Sequence, residues 1–181
     1  TYEWFVSNPI NNYNISVQIG NYVAVQDTFL KNNETHFMNH YVLDYNKELA
    51  SNFFPQSKEV IRFYEKYFGD YQWYNDGYKL IEVPYLGMEH QSAVTYGNGF
   101  SMYNGVRSKS WPMYGVIDPL IIHETGHEWF GNSVTASDPT HIWIHEGLQV
   151  YSEALYFEDK FDSYEVGVHY LNTLKNRIVN E

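Results

Sequence analysis

The sequence predicts an α+β fold, a mixed sheet packed against helices. Three observations carry that expectation. Residues 1 to about 30 alternate in polarity in the manner of strands. Pro55 to Phe68, Asp118 to Phe130 and Ile142 to Phe157 carry apolar residues at helical spacing, with start and stop residues around them. Hydrophobic residues make up 44% of the 181 positions, enough for one sizeable domain or a small lobe plus a main one.

In chain order, Tyr13-Asn14-Ile15-Ser16-Val17-Gln18-Ile19 reads as a strand between Asn-rich turns, and Phe37 to Leu43 as another. Asn46 to Asn52 reads as a short helix. Pro55 to Phe68 is amphipathic, with Val60, Ile61, Tyr64, Tyr67 and Phe68 inward and Gly69 as its stop. Asp70 to Gly77 is rich in loop formers, and Tyr78 to Val83 is a strand. Gly97 to Gly115, holding Gly99, Gly105 and Ser110, is expected to form a mobile loop. Asp118 as N-cap and Pro119 at the first helical position open the next helix, and Gly131-Asn132 closes it. A further helix runs from Ile142 to Phe157. Asp162-x-x-Glu165 has the form of a capping box for a last helix to about Ile178. There is no internal repeat and no low-complexity segment.

The chemistry concentrates in His123-Glu124-Thr125-Gly126-His127 and in Glu146, with eighteen residues between His127 and Glu146. Histidines at i and i+4 share one helix face, within reach of a single ion. Glu146 supplies a third ligand if the second helix packs against the first. Two imidazoles and a carboxylate suit one zinc ion per chain and leave a fourth position open, the arrangement of a catalytic rather than a structural site. Glu124 projects beside them, where it can take a proton from a metal-activated water as general base.

These residues carry a family resemblance. Ile121 to Thr135, with His123-Glu124-Thr125-Gly126-His127-Glu128-Trp129-Phe130-Gly131-Asn132 at its centre, resembles the zinc site of the aminopeptidase N family of zinc peptidases, which are gluzincins. Trp143-Ile144-His145-Glu146-Gly147 resembles that family's Trp-Leu-Asn-Glu-Gly segment, whose glutamate binds zinc. Pro84-Tyr85-Leu86-Gly87-Met88-Glu89-His90 resembles its Gly-x-Met-Glu-Asn exopeptidase motif, with Leu86 in place of Gly and His90 in place of Asn.

The resemblance implies a thermolysin-like N-terminal catalytic lobe over residues 31–181, truncated at its C-terminal side, preceded by the end of an N-terminal β-domain in residues 1–30. It implies that Glu89 binds the free α-amino group of a peptide, while the backbone of Gly87 and Met88 forms an edge strand pairing with that peptide. An ammonium beside a partly desolvated carboxylate gains a charge-assisted hydrogen bond, and a blocked N-terminus leaves the carboxylate unpaired. Glu153, seven positions after Glu146, matches a family carboxylate that orients a zinc-binding histidine. In the family a tyrosine several dozen residues beyond the glutamate ligand stabilises the oxyanion. The chain runs on from Glu146 only to Glu181, and Tyr151 and Tyr156 read as packing residues of the glutamate helix. Asn132 and Thr135 read as a turn, and His36, His40, His141, His145 and His169 as surface or packing residues.

Composition narrows the partners. A net charge of −11 argues against nucleic acid and is compatible with peptides bearing a free amine. The 18 tyrosines and five tryptophans fall mostly at core spacing. With no cysteine there is neither a disulfide framework nor a thiolate metal site. No apolar run is long enough to span a bilayer, and no signal peptide opens the chain, which begins at Thr1 and reads as part of a longer protein. Asn14-Ile15-Ser16 and Asn33-Glu34-Thr35 fit glycosylation acceptors and leave export open. The function expected is zinc-dependent removal of N-terminal residues from peptides. A thermolysin-like endopeptidase and a non-catalytic zinc- or peptide-binding module are the alternatives.

Overall fold

A computed structural model describes residue 3 and residues 5–101 and 117–175. Among these, a five-stranded sheet has the order β1-β2-β3-β5-β4. β1 (Tyr22–Lys31) and β2 (Glu34–Leu43) form an antiparallel hairpin paired along their whole length, turned by Asn32 and Asn33 at positive φ. Asparagine tolerates that left-handed conformation better than most residues. β3 (Lys79–Glu82) runs parallel to β2 and to β5 (Ala93–Tyr96), and β4 (Gly87–Met88) pairs antiparallel with β5 at the sheet's edge. The expected division after residue 30 falls inside the continuous β1–β2 hairpin. The ladder makes Tyr22–Lys31 part of the same sheet as the strands that follow.

The connection from β2 to β3 carries α1 (Lys47–Phe53) and α2 (Ser57–Phe68). Val60, Ile61, Phe63 and Tyr64 bury one face of α2, and Gly69, at φ 94°, ends it. Tyr67 was expected inward, but it is half exposed, its hydroxyl donating to Asp159. Packed on the same core are α3 (Pro119–Gly126) and α4 (Trp143–Phe161), with α5 (Tyr164–Lys175) against α4. No helix among the described residues is long and apolar enough to cross a membrane.

Several sequence expectations are corrected. Tyr13–Ile19 is not a strand: Asn12–Asn14 make one 3-10 turn and the residues after it are irregular. α3 ends at Gly126 rather than Phe130, and the chain continues through turns to Gly131, at φ 133°. α4 extends beyond Phe157 to Phe161. Asp162 is not a capping-box residue. It closes α4 in the left-handed conformation, φ 47°, with its N–H on the carbonyls of Glu158 and Asp159. Most of the Gly97–Gly115 loop, with Gly105 and Ser110, lies outside the described residues, as does Ile178. Of the two glycosylation-type asparagines, Asn14 is buried and bonded to Asn132 through its amide, whereas Asn33 is exposed on the hairpin turn.

His40 sits wholly inside this core, between Phe54 and Tyr78. Its Nδ1 accepts from the Leu80 N–H at 3.0 Å, which puts the ring proton on Nε2, a buried atom with no partner. Burial pulls the imidazole down to about 4. The unfolded chain keeps the ordinary value near 6.5, so between these pH values it binds more protons than the fold does. Stability therefore drops as pH falls through that window, by roughly 3 kcal/mol below its lower end. His40→Asn keeps an acceptor for Leu80 and removes the titration. Urea unfolding from pH 7 to 4 is expected to show a shallower loss for the variant, and parallel curves would refute the assignment.

Candidate metal and peptide site

α3 begins where the sequence places it. The Asp118 carboxylate accepts from the Leu120 N–H at 2.8 Å and from the Tyr96 hydroxyl at 2.6 Å. One turn further on, His123 and His127 face the first turn of α4. Their Nε2 atoms lie 3.2 Å apart, and Glu146 Oε2 is 3.5 Å from the first and 3.7 Å from the second. The opposite ring nitrogens are committed. His123 Nδ1 meets Glu153 Oε1 at 2.6 Å, and His127 Nδ1 donates to the Phe130 carbonyl at 2.8 Å. Both Nε2 lone pairs are thereby aimed at one point with a carboxylate oxygen beside it, a donor set that suits a zinc ion.

Electrostatics agree with that reading. Burial disfavours an imidazolium at His123, but hydrogen bonds to Glu146 and Glu153 outweigh it and raise the ring well above its ordinary value. Burial and the neighbouring His123 lower His127. Bonding to His123 lowers the Glu146 carboxyl, which is half exposed.

A second group of ligand atoms shares His127: those of Glu89, Glu124 and His127 all lie within 4.8 Å of one another. Glu89 and Glu124 are both buried, and among the described residues no hydrogen-bond donor reaches either carboxylate. Burial pushes Glu124 up to about 8, with Glu89, Glu146 and Glu153 adding to the rise and His123 opposing it. Gly87 and Met88 form the edge strand expected of them. A Cβ at Gly87 would stand 2.6 Å from Glu124 Oε1, so the edge backbone and the carboxylate are in direct contact.

All eight residues singled out in the sequence are thus gathered within a few side chains of His127. Tyr151 is exposed and Tyr156 donates to Glu59, so neither points to the cluster. His145 turns away from Glu146, its Nε2 accepting from the Ala136 N–H at 2.9 Å. Sequence reasoning missed Glu128 and the buried contacts of Asn132. Glu128 is buried and accepts from the Ser92 N–H at 2.7 Å, Asn132 Nδ2 at 3.0 Å and the Tyr71 hydroxyl at 3.4 Å. Burial pushes its carboxyl up to about 8. Asn132 lies in the turn expected of it and is also a junction, donating to the Glu89 carbonyl at 2.9 Å and accepting from Asn14 at 2.8 Å. A charged residue directly after a ligand and before Trp129-Phe130 was the one available signal.

The model of the peptidase family M1 domain matches residues 52–181. The chain belongs to peptidase family M1. It is 33% identical over 124 residues to human endoplasmic reticulum aminopeptidase 2, covering 62% of this chain and 12% of that protein. With a probable aminopeptidase 1 of Sulfurisphaera tokodaii it shares 26% over 118 residues, covering 64% and 15%. The chain therefore spans only a small part of the curated relatives it matches. Among solved structures, Legionella pneumophila aminopeptidase A in complex with aspartic acid aligns with a TM-score of 0.62 and 18% identity, over 77% of this chain and 17% of that one. An M1 zinc metallopeptidase of Deinococcus radiodurans aligns with a TM-score of 0.59 and 19% identity, over 78% and 29%. At these identities the structural likeness confirms the M1 fold.

Within this M1 domain, Gly126 fixes how closely the two site helices approach. A Cβ there would meet Gln149 Oε1 and the Tyr64 hydroxyl at 2.1 Å each. Helix propensity alone makes Gly→Ala stabilising by up to about 1 kcal/mol. Overpacking opposes it with roughly 1–3 kcal/mol. Gly126→Ala is expected to lower the thermal midpoint and to weaken metal retention together; a raised midpoint would mean that the contact is easily relieved.

Proposed function

We propose that this domain is the metal-bearing part of a zinc aminopeptidase that hydrolyses the N-terminal peptide bond of peptides. The observation that carries the reading is the pair of buried carboxylates, Glu89 and Glu124, which no donor among the described residues reaches, beside the His123–His127–Glu146 cluster and next to the last strand of the described sheet. His123, His127 and Glu146 would hold the ion. When bound there, zinc supplies a Lewis acid for a carbonyl and a water of lowered pKa. Family M1 relatives support the assignment, and one solved D. radiodurans homologue is described as bound to a Tyr-Ser-Ala substrate.

The chain's own residues have distinct tasks. The backbone of Gly87 and Met88 adds the peptide as a further strand, which fixes its direction and register. Glu89 accepts the α-ammonium in a charge-assisted hydrogen bond, on a buried carboxylate that no hydrogen-bond donor among the described residues reaches. Glu124, packed against Gly87, takes a proton from the attacking water on a carboxylate oxygen and delivers it to the departing amine nitrogen. Its desolvation strengthens it as a base relative to a carboxylate in water. Glu153 and the Phe130 carbonyl keep the two imidazoles in the tautomers that turn Nε2 toward Glu146.

Glu124→Gln is expected to keep one zinc per chain while turnover falls about 10²–10⁴-fold, whereas His127→Ala or Glu146→Ala loses the metal. Elemental analysis alongside peptide hydrolysis reads both. Peptides with a free N-terminus should be cleaved and their N-acetylated forms spared. Equal cleavage of the two would replace this reading with an endopeptidase, and an unchanged rate in Glu124→Gln would remove Glu124 from the mechanism. Gly87→Ala is expected to displace the Glu124 carboxylate, lowering turnover at least about tenfold with the melting temperature nearly unchanged. A wild-type rate would show that the edge strand does not constrain the base.

A further inference from the structure

The turn that carries Glu89 is held by an anchor supplied by the metal helix's own continuation. Residues 89–92 connect β4 to β5, with the Ala93 N–H on the His90 carbonyl at 3.0 Å. Ser92 stands at φ 59°, a left-handed conformation uncommon for serine. Its N–H donates to Glu128 Oε1 at 2.7 Å, which holds the turn there. At the other end of the turn, Asn132 Nδ2 bonds the Glu89 carbonyl at 2.9 Å, and the same nitrogen donates to Glu128 Oε2 at 3.0 Å. Glu128 follows His127 directly, and the Asn132 N–H donates to the His127 carbonyl at 2.9 Å. Two buried side chains thus tie both ends of the turn to the backbone of a metal ligand. Tyr71 and Asn14 brace them from outside, through Glu128 Oε1 at 3.4 Å and Asn132 Oδ1 at 2.8 Å.

We propose that Glu128 and Asn132 are positioning residues that fix the span between the amine anchor Glu89 and the metal cluster, and so set the preference for peptides with a free N-terminus. This rests on the aminopeptidase reading above. Neither residue reaches the convergence point of the ligands. They act through the turn backbone: if it slackens, Glu89 no longer stands one residue's length from the bond to be broken. The expected signature is therefore loss of discrimination, not loss of metal. A residue that only stabilised the fold would lower the melting temperature and leave the ratio of free to blocked cleavage alone.

The test uses zinc-loaded protein with one peptide in free and N-acetylated form. Asn132→Ala and Glu128→Ala are expected to raise KM for the free peptide and cut the free-over-acetylated ratio of kcat/KM by roughly tenfold, the worth of one lost hydrogen bond. Zinc per chain should stay at the wild-type value and kcat for the free peptide within about threefold. Glu128→Gln keeps an acceptor for the Ser92 N–H and should recover most of the ratio, and it is the decisive variant if an alanine protein does not fold. An unchanged ratio in a folded alanine variant, or a Gln variant as indiscriminate as the alanine one, overturns the proposal. If the wild-type protein itself cleaves both peptides equally, the aminopeptidase reading fails first, and the two failures are distinguishable.

Discussion

Everything at this site depends on two helices lying close enough for one ion to touch both. That distance is set by side chains remote from the donors. Gln149, three residues past Glu146, lies inside the contact and donates to the Ile122 carbonyl at 3.2 Å and to the Tyr64 hydroxyl at 2.9 Å. Tyr64 in turn meets Ser152 at 2.7 Å and stacks on Trp129. Gly126 leaves the space for this junction. The polar groups are fully buried and mutually satisfied, so the junction has little slack. A helix pair held only by aliphatic contact would fix the interaxial distance less sharply, and the donors converge to within 3.7 Å only because their backbones cannot drift.

The second constraint is electrostatic. Glu89, Glu124, Glu128 and Glu153 are all buried around two histidines, with Glu146 at the rim. Buried carboxylates lose hydration and must find donors or cations. The protein treats them unequally. Glu128 is met by three neutral donors, and Glu153 by His123. Among the described residues, no hydrogen-bond donor meets Glu89 or Glu124. In the proposed reaction these two carboxylates face an ammonium and a water's proton, the two positive species that peptide-bond hydrolysis brings.

How much of this was legible follows from the range of each signal. The ligand pair is a local pattern: i,i+4 spacing on a capped helix determines it, and the Asp118–Pro119 start was read correctly for the same reason. Glu146 was legible from its spacing to the histidines at the head of a second helix, and Glu89 and Glu153 through resemblance. Glu128 and Asn132 were not, because their partners are the backbone of Ser92 and Glu89, about forty residues upstream, and no local pattern records a contact to a distant main chain. Asp162 was misread because one residue type serves both helix ends: the Asp-x-x-Glu spacing suits an N-cap, but the chain needed a left-handed residue to stop α4 first.

The alternation in residues 13–19 failed as a strand signal in an instructive way. A period of two is present, but the faces are inverted relative to a half-buried strand. Ile15, Val17 and Ile19 point outward, at 67%, 79% and 92% exposure, while Asn14 is buried and Gln18 partly so. Asn14 is buried on Asn132, and Gln18 reaches Ser16 and the Tyr85 hydroxyl. The same habit extends through the preceding residues: Ser7 and Asn8 bond Asp76, the Pro9 carbonyl accepts from Gln91, and Asn11 reaches Thr135. Such a segment is held by side-chain amides and hydroxyls rather than by a ladder, so its backbone need not be extended and the hydrophobic face cannot choose its register. One of its contacts falls on Gln91, in the turn that carries Glu89, and another on Asn132, which bonds that turn. The polar inward face is therefore what this position requires, since an apolar face laid against the turn would leave Asn132 Oδ1 without the donor that orients its amide toward the Glu89 carbonyl.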